Sequence, residues 1–162
     1  MNIKRALLIL LIVVAVISSV GAVSAGLFDG LLGQTQDNVV EIENITFNTT
    51  NATEWEYVGA DSQGWVAYMT KDNISACAIM NVSDLSDSQY DFEVNELKDI
   101  MATYYTVQKV NGIDVYTLND MDGNDTEFYY AFVINDDLKT AVQLNSITPN
   151  ETAYMASTLE FK

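Results

Sequence analysis

Between Tyr90 and Tyr104 the apolar residues change their period. Tyr90, Val94, Leu97, Met101 and Tyr104 fall at i, i+4, i+7, i+11 and i+14, which is one face of an α-helix. Ser86, Asp87 and Ser88 offer an N-cap just before it. On both sides of that stripe the apolar residues alternate or form short blocks between turn residues, which is the pattern of strands. A helix stripe flanked by strands must be buried against a sheet, so the expected class is α+β.

The strand signals can be placed one by one. VVEIENITF is apolar at 40, 42, 45 and 47, with one slip in the alternation that predicts a bulge or turn between 42 and 45. WEYV (55–58) and WVAYMT (65–70) flank the turn-rich ADSQG and predict a hairpin. ISACAIMNV (74–82) follows the turn KDN. Asn111-Gly112 separates two β-rich runs, YYTVQKV and IDVYTL, and is the pair a type I′ turn favours. EFYYAFVIN (127–135), after the turn DMDGND, is apolar on both faces and is expected to be central. LKTAVQLNSI follows the turn NDD. Thr148-Pro149-Asn150-Glu151 is a capping box with proline at N1. It predicts a last helix over ETAYMASTLEF, with Tyr154, Met155, Thr158 and Leu159 inward. Short turns imply a mostly antiparallel sheet, and both helices are expected on one face of it.

The N-terminus has another character. MNIKRALLILLIVVAVISSVGAVSA has Lys4 and Arg5, then an apolar run, then small residues ending Val23-Ser24-Ala25. That is the layout of a secretory signal cut after Ala25. Ala6–Ala25 is also about the length of a membrane-spanning helix, so an uncleaved anchor stays open. Either way Lys4 and Arg5 remain inside and the rest is exported. The expected organisation is 1–25 signal peptide or membrane anchor, 26–38 tether (GLFDGLLGQTQDN) and 39–162 a single α+β domain. Beyond residue 25 stand five lysines, no arginine and 23 acids, a formal charge of −18. Such a surface repels nucleic acid and anionic headgroups, so no nucleic-acid partner is expected and membrane contact is confined to the N-terminal segment.

Export gives meaning to a cluster of N-x-[ST] sites: Asn44, Asn48, Asn51, Asn73, Asn81, Asn124 and Asn150. Of the 13 asparagines beyond residue 25, chance would place about two in such sequons, against seven present. Glycosylation is one explanation. The other is that Asn and Thr collect in turns and strands for backbone reasons.

This basic–apolar leader, followed by AGLFDGLLG, NITFN, VNGIDVY and the C-terminal ETAYMASTLEFK, resembles a group of small secreted proteins of methanogenic archaea. The resemblance implies location and fold, and no activity comes with it. The strand order also resembles the PsbP/Mog1-like α/β/α sandwiches, a likeness of fold alone.

Little catalytic chemistry is on offer. No histidine is present, Arg5 lies in the leader, and Cys77 is the single thiol, set in the apolar ISACAIM. Triads, zinc clusters and bidentate phosphate clamps lack their parts. Acid pairs such as Glu54/Glu56 or Asp120/Glu127 are present, but spacing selects none of them. No catalytic residue, metal site or cofactor is therefore assigned. In the acidic turn Asp120–Glu127, an EF-hand register with Gly123 as the turn glycine puts Leu118 where an oxygen ligand belongs, leaving at most weak Ca²⁺ binding. Trp55, Tyr57, Trp65 and Tyr68 on adjacent strands form either a ligand platform or core. The expectation is a non-catalytic extracellular domain of the cell surface or envelope, secreted or anchored to the outer face of the cytoplasmic membrane. Its partner would be a cell-surface protein or a glycan. The alternative is a secreted module for a small ligand or Ca²⁺.

Overall fold

The computed structural model describes residues 38–61, 64–83, 85–118 and 128–162. The leader, residues 26–37 of the tether, the acidic turn with its Ca²⁺ candidates, and Asn124 lie outside the described residues. The elements are β1 (Asn38–Ile42), β2 (Ile45–Thr49), β3 (Trp55–Ala60), β4 (Trp65–Thr70), β5 (Ser75–Asn81), α1 (Asp87–Tyr104), β6 (Tyr105–Val110), β7 (Ile113–Leu118), β8 (Tyr129–Asn135), β9 (Thr140–Ser146), α2 (Pro149–Ser157) and β10 (Glu160–Phe161).

Among the described residues two sheets form, and their strand pairs are antiparallel. Seven strands run in the order β3-β4-β5-β9-β8-β7-β6, and three in the order β1-β2-β10. The slip between Ile42 and Ile45 is a turn, with Glu43 at φ 51°. Asn111 and Gly112 have φ 51° and 87°, as a type I′ turn requires. β8 is interior, paired on both sides, but the middle strand is β9, all of whose residues are buried. β9 brings together segments far apart in sequence, with Cys77 opposite Leu144 and Leu144 opposite Ala131.

The helices lie on opposite faces of the large sheet, not together on one. Side chains alternate along β5, so Cys77 and Ile79 point one way and Ala78 and Met80 the other. Cys77, Ile79, Val142 and Leu144 pack with Met155 of α2 and with Val40, Ile42, Ile45 and Phe47 of the small sheet. Ala78, Met80, Trp65 and Ala141 pack instead with Leu97 of α1. A sheet apolar on both faces needs a cover on each, and the small sheet joins α2 as the second cover.

Helix α1 starts at the expected cap. Ser86 and Gln89 form a capping box, and Tyr90 and Val94 are buried. Helix α2 stops earlier than its pattern predicts, at Ser157. Its buried residues are Thr152, Ala153 and Met155. Glu160 and Phe161 leave the helix and pair with Thr46 and Ile45 of β2. Strand pairing of the last residues outcompetes another helical turn, because it lets Leu159 and Phe161 pack on the core between the sheets.

Candidate functional site

Register decides which aromatics meet. Trp55 lies opposite Thr70 and Tyr57 opposite Tyr68, so Trp55, Tyr57 and Tyr68 share the face that carries the small sheet. Trp65 lies opposite Met80 and is buried on the α1 face with Ala78 and Ala141. Three of the four expected platform residues are thus brought together, and Trp65 is core. Trp55 meets Phe47 edge-to-face at 5.4 Å between centroids, and Tyr57 meets Tyr68 at 5.7 Å. Tyr57 is 60% exposed on an outermost strand. A register shift between Tyr57 and Gly59 marks a bulge in that edge, a device that discourages strand addition while aiming a side chain outward.

Glu43 completes this surface, and only the slip in alternation around it hints at its role. Its carboxylate accepts a hydrogen bond from the Tyr68 hydroxyl. Burial, then the hydrogen bond to Glu43 and its charge, push the Tyr68 hydroxyl up to about 12, so it remains a neutral donor near neutral pH. Glu43 occupies the left-handed region at φ 51°, where glycine or asparagine is the ordinary choice. Glu43→Gly is therefore expected to leave stability unchanged or raise it by up to about 1 kcal/mol, as relief of strain offsets one lost exposed hydrogen bond. A urea melt checks this; a loss above about 1.5 kcal/mol would mean that the contact holds the hairpin in place.

At the base of β3, Lys71 contacts Glu54 and lies 3.4 Å from Glu56. The hydrogen bond and charge of Lys71 hold the Glu54 carboxyl below its ordinary value. A hydrolytic carboxylate pair needs one member kept neutral, and Lys71 pulls Glu54 the other way.

A concavity of about 350 Å³ lies beside the start of α1 and includes Asp87, Tyr90, Asp91, Lys98, Asp136 and Lys139. Several of its polar groups are already engaged. Lys139 Nζ is 2.9 Å from Asp87 and donates to the Leu85 carbonyl at 2.6 Å. Tyr90 donates to Asp136 at 2.8 Å, and burial with that bond drives its hydroxyl pKa upward. These contacts fasten α1 to the β8–β9 turn.

The sequons sit in varied settings. Asn150 is exposed in the first turn of α2, Asn44 is half-buried in the β1–β2 turn and Asn48 half-buried in β2. Asn73 occupies a left-handed turn position at φ 61°, and Asn81 ends β5. The Asn51 amide donates to both Asp72 oxygens at 3.2 and 3.4 Å, and its own oxygen accepts from the Thr53 backbone at 3.0 Å. Sequon hydroxyls are used as well. Thr53 donates to Asp72 at 2.8 Å, Thr50 to Glu151, and buried Thr152 to the Tyr129 carbonyl at 3.0 Å. Thr50, Thr53 and Thr152 thus have structural duties whatever becomes of the asparagines. Among the described residues no group of three or more acids or cysteines is placed to hold a metal ion, and no helix is long and apolar enough to cross a membrane. Comparison with known proteins finds no matching family model and no curated protein that matches the chain.

Proposed function

We propose that the chain is a non-catalytic domain of the cell surface that binds an envelope glycan through the Tyr57–Tyr68–Glu43 edge. Export rests on the basic–apolar leader and the excess of sequons, with the domain either released or anchored at the outer face of the cytoplasmic membrane. The observation that carries the binding role is the exposed Tyr57 ring, set edge-to-face against Tyr68 beside a carboxylate that tolerates left-handed strain. Rings offer flat apolar surface, and carboxylates accept hydrogen bonds from hydroxyls, the two things a sugar chain presents. Backbone strain clusters at ligand-binding positions, and Glu43 is a strained residue that also contributes a carboxylate to this surface.

Calorimetric titration with polysaccharide from the cell envelope tests the reading. Tyr57→Ala is expected to weaken binding at least tenfold, about 1.4 kcal/mol, while the melt changes by about 1 kcal/mol or less. Tyr57→Phe should bind as the parent does. Equal affinity for the parent and Tyr57→Ala would remove the edge from the function. Export is tested separately, by weighing the native protein recovered from medium, membrane and cytosol. Residence in the cytosol at full mass would end the surface assignment.

A further inference from the structure

The interior between α1 and the large sheet contains polar groups that no protein atom satisfies. Side chains at alternate positions of β9 share a face, so Gln143 and Asn145 point the same way as Ala141, toward α1. Asn145 is 0% exposed, Gln143 5% and Tyr105 6%. Nε2 of Gln143, both Nδ2 and Oδ1 of Asn145, and the hydroxyl of Tyr105 have no hydrogen-bond partner. The three side chains fall in one patch. Tyr130 is the register neighbour of Asn145 and Phe132 that of Gln143, and the Tyr105 ring stands 5.5 Å from the first and 5.9 Å from the second. On the other side Asn145 and Gln143 face only the small side chains of Ala76 and Ala78.

Buried polar atoms in folded proteins almost always find partners, and a buried amide left without one is heavily penalised. Four such atoms in one patch point to a guest. The patch has amide donors on Gln143 and Asn145, an acceptor on Asn145 and a hydroxyl able to do either. A cation meets amide N–H groups, and an anion cannot satisfy the Asn145 oxygen. The guest must be neutral, must both give and accept hydrogen bonds, and must be small. We propose that Gln143, Asn145 and Tyr105 form an internal site for water-sized neutral guests, filled by water in the resting protein, between α1 and the seven-stranded sheet. An internal water makes two to four hydrogen bonds, which this set of atoms can supply.

Water–protein cross-relaxation on the ¹⁵N-labelled full chain tests the site. The side-chain amide protons of Asn145 and Gln143 are expected to show cross-peaks to water with the sign of a long-lived contact. Absence of such peaks at both amides overturns the proposal. Oxygen-17 relaxation dispersion counts long-lived waters independently. Asn145→Leu should lower the amplitude by at least one water, and Gln143→Met serves if that variant does not fold. An amplitude equal to the parent's in a folded variant would equally overturn it.

Discussion

Phe47→Ala is expected to destabilise the protein by about 3–5 kcal/mol. That is a large part of the stability of about 5–15 kcal/mol usual for a domain. Phe47 is 1% exposed and stands where the two sheets and α2 converge, among Ile42, Ile45, Cys77, Ile79, Val142, Leu144 and Met155. These neighbours come from five elements whose backbones are fixed by their own ladders, so the space left by the ring closes poorly. Urea melts give the magnitude. Fluorescence gives the location, because Trp55 touches Phe47 while Trp65 lies on the other face of the large sheet. Native Phe47→Ala should lose the Trp55 share of the spectrum's environment effect and keep that of Trp65. Val107→Ala, at a position 52% exposed, is the control and should change stability by less than about 0.5 kcal/mol. A Phe47→Ala loss below about 1 kcal/mol would mean that the small sheet is not cemented through this ring.

The same ring explains why local structure was legible in the sequence and tertiary arrangement was not. Asn111-Gly112, the Ser86 cap, the Tyr90–Tyr104 stripe and Thr148-Pro149 are short-range devices, and each forms where the residues place it, except that the Glu151 carboxylate accepts from Thr49 and Thr50 instead of closing the expected box on the Thr148 N–H, which donates to Ser146 Oγ. The choice of face is a different matter. β5 carries small or apolar residues on both sides, so its period of two does not say which side meets α1 and which meets α2. The pairing of β5 with β9 is long-range and has no local signature. The aromatic edge was legible in part. Trp65 and Tyr68 stand three apart on β4, so the period of two alone sends them to opposite faces. What sets Tyr57 opposite Tyr68 is the β3–β4 register, with its shift at Tyr57/Gly59, and no local signal announces that. Glu43 was invisible because its role depends on Tyr68, a residue from another sheet. The two-residue β10 was hidden by a helical pattern that runs on past the point where β2 captures the chain.

Asp72→Ala is the second large effect, about 2–3 kcal/mol, and it carries its own pH signature. The Asp72 carboxylate accepts from Thr53 Oγ1 at 2.8 Å, from the Asn51 amide, and from the Ile74 backbone at 3.3 Å. Burial alone raises its pKa. The hydrogen bonds from Thr70, Thr53, Asn51 and the Ile74 backbone outweigh burial and hold the carboxyl below the usual aspartate value. The ionised form is therefore the one the fold prefers. Its contribution is complete above the unfolded-state pKa, near 3.9, and disappears as pH falls through the lower folded-state value. Asp72→Asn keeps an acceptor but no charge, so its deficit relative to the parent should be constant between about pH 7 and 5.5 and shrink below about pH 4. Urea melts at three pH values measure it, and a deficit equal at pH 7 and pH 3 would show that ionisation is not what the knot uses. The consequence reaches the proposed binding edge. Asn51 and Thr53 belong to the segment that leads straight into Trp55, and Lys71, next to Asp72, donates its backbone N–H to the Glu54 carbonyl at 3.0 Å. Loosening this knot frees the start of β3. Glycan affinity at the Tyr57 edge should therefore fall in Asp72→Ala even under conditions where the protein is still fully folded, a loss that Val107→Ala should not share.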